Sequence, residues 1–153
     1  ASAQYVYLWE ESLFGGGVAV VHWGAGPAIP RSVPPELDVE AWRKSIALIR
    51  DLNPARLYLP HFGPARGPIA PYLDALEERV VRWSEWLRDR VQAGNESDDL
   101  PAAFADYEAR DLQQGGATLA QVADYEAADP SYMAVTAARR YWQRRSPAAS
   151  KPS

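Results

Sequence analysis

The chain has 153 residues, of which 47% are hydrophobic and 24% are charged, a composition typical of a soluble globular domain. The net charge of −4 argues against a nucleic-acid partner, and no apolar run approaches the ~20 residues that a membrane-spanning helix needs. The absence of cysteine excludes disulfides, thiolate zinc sites and cysteine nucleophiles, and with no recognisable signal peptide we take the location to be cytoplasmic by default.

The first third of the chain has the composition of β-strands. Residues 5–9 are aromatic or β-branched and predict a strand, and the polar residues 10–12 fit a turn. A second apolar run over residues 13–21 is interrupted by Gly15 to Gly17, which indicate a bend in the strand, with a backbone anion nest as the alternative. Residues 22–35 are rich in glycine and proline and predict a loop.

A helix and then a strand are predicted next. Asp38 is a good N-cap, and apolar side chains recur at helical spacing until Asn53, which precedes a proline and ends the helix. Residues 56–59 predict a strand, and another helix is expected to begin within residues 68–71. This alternation favours a layered α/β unit. The apolar face of the first helix consists of Val39, Trp42, Ile46 and Ile49.

The longest predicted helix continues from there to Gly94. Its apolar side chains form one stripe, which indicates burial along a single face. Tryptophans on this helix and on two others indicate packing surfaces, with an aromatic ligand pocket as the alternative. The stripe consists of Leu73, Leu76, Val80, Trp83, Leu87 and Val91, and the tryptophans are Trp42, Trp83, Trp86 and Trp142.

Three shorter helices are predicted after it. The first covers about residues 101–112 and ends at a pair of glycines. Thr118 with Gln121 has the spacing of a capping box and opens the second. Asp129 is predicted to cap the third, with Pro130 at its first helical position.

The chain contains two histidines. His61 follows the strand predicted at residues 56–59, at the end of a strand where α/β folds place their chemistry. It is either a loop histidine bonded to backbone or a residual metal ligand. His22, next to Trp23, is interpreted as a surface or loop residue, with a compensating ligand as the alternative. No serine belongs to a recognisable triad, so no catalytic residue is assigned.

One segment around His61 resembles a known metal-ligand motif. Residues 59–64, Leu-Pro-His-Phe-Gly-Pro, are similar to the last ligand motif of the metallo-β-lactamase-fold hydrolases, in which a strand delivers a histidine. Residues 125–142 resemble the helical tail of one bacterial subgroup of that family. The resemblance implies the C-terminal half of a four-layer αβ/βα sandwich, whose complete form binds zinc or iron between its two sheets.

The same resemblance implies that most of the metal ligands are missing. The family has a ligand histidine at the position of Ala3 and a bridging aspartate at the position of Gly17, and its first-half histidine cluster has no counterpart here. His61 is therefore the residual ligand position. A catalytic zinc needs about three protein ligands and one open position, so we expect no metal cofactor to be bound by this chain alone.

We therefore predict an α/β fold: a small mixed sheet with helices packed on one face, half of an αβ/βα sandwich, and a helical C-terminal extension. The expected units are residues 1–93 for the half-sandwich, 94–145 for the extension and 146–153 for a disordered tail. The expected function is that of the C-terminal portion of a metal-dependent hydrolase, inactive alone. The alternatives are a homodimeric, non-catalytic binding or assembly module, and a weak binder of small molecules near His61.

The predicted sheet also implies a partner. A half-sandwich exposes the sheet face that the other half would cover, and large exposed apolar patches are typical of interfaces. A homo-oligomer or a complementary N-terminal half would cover it, and the C-terminal helices folding back over it is the third possibility. We expect one of the first two, with no nucleic-acid or membrane partner.

Overall fold

The computed structural model describes residues 6–15, 22–24, 26–30, 37–59, 61, 63–93 and 98–145. Within these residues the fold is mixed α/β, with five helices and a three-stranded sheet. The predicted α/β class with a small mixed sheet is confirmed. In chain order the elements are β1 (Val6–Trp9), β2 (Ser12–Gly15), α1 (Val39–Leu52), β3 (Arg56–Tyr58), α2 (Ile69–Gln92), α3 (Leu100–Gln114), α4 (Leu119–Ala128) and α5 (Ser131–Arg144).

The sheet has the order β1-β2-β3. β1 and β2 form an antiparallel hairpin, whose two-residue turn places Glu10 in the left-handed region at a φ of 52°. β3 runs parallel to β2, because α1 carries the chain back across the sheet. The register pairs Leu13 with Leu57, and both are buried against apolar side chains of α1 and α2. The opposite face of the sheet carries aromatic side chains of the three strands.

Local signals in the sequence set the ends of α1. The side chain of Asp38 accepts a hydrogen bond from the Ala41 amide at 2.9 Å, as an N-cap does. Asn53 ends the helix in the left-handed conformation, at a φ of 43°. Ile46 and Ile49 are buried, so the predicted apolar face is the one that packs.

α2 connects two apolar cores. Leu73, Leu76 and Val80 belong to the core beneath the sheet. Trp83 and Leu87, one or two turns further along, belong to a second core formed with α3, α4 and α5. The predicted stripe is thus buried along most of its length. None of the helices in the described residues combines the length and apolar character of a membrane span.

The caps of the last two helices differ in how well the sequence predicted them. The capping box of α4 is present, with hydrogen bonds between Thr118 and Gln121 in both directions. α5 begins one residue later than predicted, because Pro130 occupies the N-cap. Its first amide, at Ser131, donates to the carboxylate of Glu126 at 3.0 Å. The short α4–α5 connection brings Glu126 close enough to take the capping role predicted for Asp129.

Candidate functional site

His61 lies in a tight loop after β3 and is exposed. The loop folds back on the strand, with the Leu59 amide donating to the Gly63 carbonyl at 3.2 Å and the Ala65 amide to the Leu57 carbonyl at 2.7 Å. Among the described residues no three histidine, aspartate or glutamate side chains group as metal ligands would. The other two implied positions, Ala3 and Gly17, lie outside the described residues.

A cavity with polar side chains lies elsewhere, between α2 and the loop of residues 22–24 and 26–30, called here the 22–30 loop. Its volume is about 300 Å³, within the range of small-molecule sites. Most of its wall is apolar or backbone, with four side chains that bear polar groups. The cavity is lined by His22, Gly26, Pro27, Ala28, Arg66, Tyr72, Ala75, Arg79 and Gly115.

His22 is buried in the wall of this cavity, with 4% of its surface exposed. It lies in a loop as predicted, but the interpretation as a surface residue is wrong. Its Nδ1 has no hydrogen-bond partner within the described part of the chain. Burial, and secondly the positive charge of Arg66, lower the pKa of His22, so the imidazole is neutral at pH 7.

Tyr72, at the start of α2, adds a second unpaired polar group. Its hydroxyl is buried and makes no hydrogen bond to any described residue. Burial, with a smaller contribution from Tyr125, raises the pKa of Tyr72, so the phenol keeps its proton and remains a donor. Buried polar atoms without a partner are rare in folded proteins. This cavity has two such residues in its wall.

Arg79 supplies a buried positive charge at the same wall. Its Nε donates to Asp111 Oδ2 at 2.6 Å, and its Nη1 donates to the Ala28 carbonyl at 2.6 Å. Arg82 Nη1 contacts the other oxygen of Asp111 at 2.5 Å. Burial opposes ionisation of Asp111, but the hydrogen bonds and charges of the two arginines hold its pKa below the usual value. Two guanidinium groups therefore share one carboxylate.

Tyr125 fixes the loop that forms the other wall. Its hydroxyl accepts a hydrogen bond from the Trp23 amide at 2.8 Å and donates one to the Pro27 carbonyl at 2.7 Å. A Cβ atom at Gly26 would lie 2.5 Å from this hydroxyl, so a side chain does not fit there without a shift. α4 thus holds the 22–30 loop against α2 and defines the shape of the cavity.

Sequence reasoning missed three of the four polar side chains. Arg66 lies in the loop before α2 without a distinguishing motif. Tyr72 and Arg79 are separated by seven residues, and Leu76 and Trp83 lie on the same helical face. An arginine and a tyrosine on the buried face of an amphipathic helix were the available signal. Both residues border the predicted apolar stripe, which was defined by its apolar side chains and so left them out.

A second cavity, of about 260 Å³, lies between α3 and α4. Its wall includes the carboxyl groups of Glu108 and Glu126 among mainly apolar side chains. Burial first, and then the charges of Asp129 and Glu126, raise the pKa of Glu108 to about 8. The carboxyl groups of Glu108 and Glu126 both contact Ser131, so we assign this region a structural role.

No protein-family model, no curated protein and no solved structure matches this chain. The kinship with the metallo-β-lactamase-fold hydrolases therefore stays a prediction that depends on residues 59–64 and 125–142. The cavity at His22 and Tyr72 is assigned from its own geometry.

Proposed function

We propose that this chain acts as a binding module and that the cavity at His22 and Tyr72 holds a small polar molecule. One observation carries the proposal: two residues that line a 300 Å³ cavity, His22 and Tyr72, each carry a buried polar atom without a hydrogen-bond partner among the described residues. Leaving such a group unsatisfied costs about 1–3 kcal/mol. A bound molecule that forms a hydrogen bond with each of them would recover that cost.

The groups at this cavity favour binding over bond-breaking. General acid–base catalysis needs a titratable group with a pKa near the working pH. Here burial lowers the pKa of His22 and raises that of Tyr72, so both side chains rest in their neutral forms at pH 7. Arg79 is held by Asp111 and by backbone. These groups hold fixed positions and protonation states, which suits recognition.

This function agrees with descent from a metallo-β-lactamase-fold hydrolase, which we propose on the resemblance at His61. The strand that delivers His61, the crossover helix before it and the mixed sheet are the parts which that ancestry requires. With Ala3 and Gly17 at two ligand positions, His61 alone offers an incomplete donor set for catalytic zinc or iron. A descendant that keeps the scaffold and a pocket would act by binding.

A thermal-shift screen of small polar molecules tests the binding proposal. Ligands of the cavity are expected to raise the melting temperature of the wild-type chain. His22→Ala should reduce that rise, because it removes one of the two unpaired groups. The matched control is Tyr132→Phe, since Tyr132 is 55% exposed on α5. A rise that His22→Ala leaves unchanged, or no rise with any compound, contradicts the proposal.

The exposed sheet face favours a second candidate function, assembly with another polypeptide. Tyr7, Trp9 and Phe14 are 64%, 59% and 38% exposed, and Phe14 stacks on Tyr58 at a centroid distance of 4.8 Å. A row of exposed aromatic side chains is typical of interaction surfaces. We propose that a second copy of the chain covers it, with a complementary N-terminal half as the alternative occupant.

A further inference from the structure

We propose that the cavity at His22 and Tyr72 selects a small organic monoanion, a carboxylate on a short apolar body. This inference depends on the proposed function, because it names the class of ligand for the same cavity. It is carried by the balance of charge around the cavity, by the donors that remain unused, and by the apolar part of the wall.

The charge around the cavity is positive. Arg66 and Arg79 are in the lining, and none of the described lining residues carries a carboxylate. Asp111 contacts the guanidinium groups of both Arg79 and Arg82. Arg82 also lies 3.8 Å from a carboxylate oxygen of Glu78, so the excess positive charge at the cavity is that of Arg66. Arg66 forms no ion pair with any described residue. An anion in the cavity would therefore compensate a charge that the described residues leave unbalanced.

The unused polar groups can all donate. Tyr72 keeps its phenolic proton and has no acceptor among the described residues. His22 offers an N–H in its Nδ1 tautomer. Arg79 uses Nε and Nη1 for its protein contacts, while its Nη2 lies next to Gly115, 3.4 Å from where a Cβ there would be. A carboxylate accepts several hydrogen bonds and donates none, so it matches this set.

The rest of the wall fits a short hydrocarbon. Pro27, Ala28 and Ala75 contribute apolar surface, and Gly115 has no side chain. A volume of about 300 Å³ is at the lower end of the range for ligand sites. Arg66 is exposed, which gives the charged group a route in from solvent. A fully hydrated inorganic anion would leave this apolar surface unused.

The test compares butyrate, butyramide, butylammonium and inorganic phosphate by NMR titration and calorimetry at constant ionic strength. Butyrate should perturb the resonances of His22 and Tyr72 and bind at least about tenfold more tightly than butyramide. Arg66→Gln should weaken butyrate binding about threefold to fivefold, since Arg66 is exposed. Arg140→Gln, an exposed arginine on α5, should leave it unchanged.

The outcomes of this test separate a wrong ligand class from a wrong binding function. If butyramide binds as tightly as butyrate at His22 and Tyr72, the anion preference is wrong while the binding function stands. If phosphate binds as tightly as butyrate, the requirement for an apolar body is wrong. If butyrate at 50-fold excess leaves both residues unperturbed, the ligand class is wrong, and the thermal-shift screen decides whether the binding function also fails. Equal weakening by Arg66→Gln and Arg140→Gln indicates unspecific charge and overturns the inference.

Discussion

The buried carboxyl group of Glu108 lies 3.2 Å from the hydroxyl oxygen of Ser131, and that hydroxyl also lies 2.6 Å from a carboxylate oxygen of Glu126. A serine hydroxyl has one proton and donates to only one of them. The other contact needs a proton on a carboxyl group. Burial, and then the charges of Asp129 and Glu126, raise the pKa of Glu108 to about 8, so Glu108 is the group that holds this proton at pH 7. Glu126 accepts from the Ser131 amide with its other oxygen.

The protonation of Glu108 makes stability depend on pH. Its pKa is about 8 in the folded chain and near the ordinary 4.5 in the unfolded chain. The folded state therefore binds more protons between these values. The stabilisation is complete below about pH 4.5 and is lost as the pH rises through 8. We expect the wild-type free energy of unfolding to fall by on the order of 3 kcal/mol across this window.

Replacing Glu108 with Gln should flatten that dependence, because the amide keeps a donor toward Ser131 and does not ionise. Urea unfolding at pH 5 and at pH 8.5 measures the difference. Asp106→Asn, at an exposed position of the same helix, is the control and should retain the wild-type slope. If the free energy of unfolding of Glu108→Gln still falls with pH as in the wild type, another ionisable group causes the pH dependence.

The Arg79–Asp111 pair predicts a large loss of stability when one partner is removed. Both side chains are at least 93% buried, and Asp111 also accepts from the Trp83 indole at 3.0 Å. Asp111→Ala leaves Arg79 charged and unpaired, so we expect a loss of about 3–5 kcal/mol. Chemical denaturation measures it. Asp74→Ala, which breaks an exposed pair with Arg50, should cost under about 1 kcal/mol. Equal losses of stability in the two variants would contradict the prediction that the buried pair contributes more than the exposed one.

The tyrosines Tyr72 and Tyr125 should respond in opposite ways to removal of the hydroxyl. Tyr72→Phe removes a buried group that has no partner in the described residues, so stability should stay the same or rise by about 1 kcal/mol. Tyr125→Phe leaves the Trp23 amide and the Pro27 carbonyl without their partner and should cost about 1–3 kcal/mol. Thermal unfolding of both variants tests this. A loss above 1 kcal/mol in Tyr72→Phe would show that its hydroxyl is bonded in solution.

Elements with local signals could be predicted from the sequence. The cap at Asp38, the left-handed stop at Asn53 and the capping box at Thr118 each depend on residues within one helical turn. The stripe on α2 follows from periodicity. The cap of α5 differs from the prediction because Glu126 reaches the start of the helix only through the geometry of the α4–α5 connection, which no local pattern encodes.

The candidate site could not be predicted, because its parts are far apart in the chain. The 22–30 loop is positioned by Tyr125, whose hydroxyl bonds to residues 98 and 102 positions away. The buried charge at the cavity depends on how Arg79 and Arg82 share Asp111 across 32 and 29 positions. The sequence directed attention to His61 as a candidate site residue, because it lies in a segment that resembles a known motif. His22 has none, and its burial follows only from tertiary packing.

His61 is expected to contribute little to stability. It is exposed, so His61→Ala should change the free energy of unfolding by less than about 1–2 kcal/mol. The unfolding midpoint and the zinc and iron content of the purified chain, by plasma emission spectroscopy, are the measurements. A larger loss together with one metal ion per chain would show that neighbouring copies or other segments complete a ligand set at this loop.

The aromatic row on the sheet predicts self-association. Trp9 is 59% exposed at the hairpin end of β1, so Trp9→Ser removes a large apolar contact at little expected cost to the fold. If a second copy covers this face, sedimentation equilibrium should show a dimer for the wild type and a dissociation constant raised by tenfold or more for Trp9→Ser, as for an aromatic residue central to an interface.

Leu119→Ser is the matched control, because Leu119 is 75% exposed on α4 and lies on no sheet. A monomeric wild type at 100 μM would leave the complementary N-terminal half as the occupant, whereas a dimer that Leu119→Ser weakens and Trp9→Ser does not would place the interface on the helices.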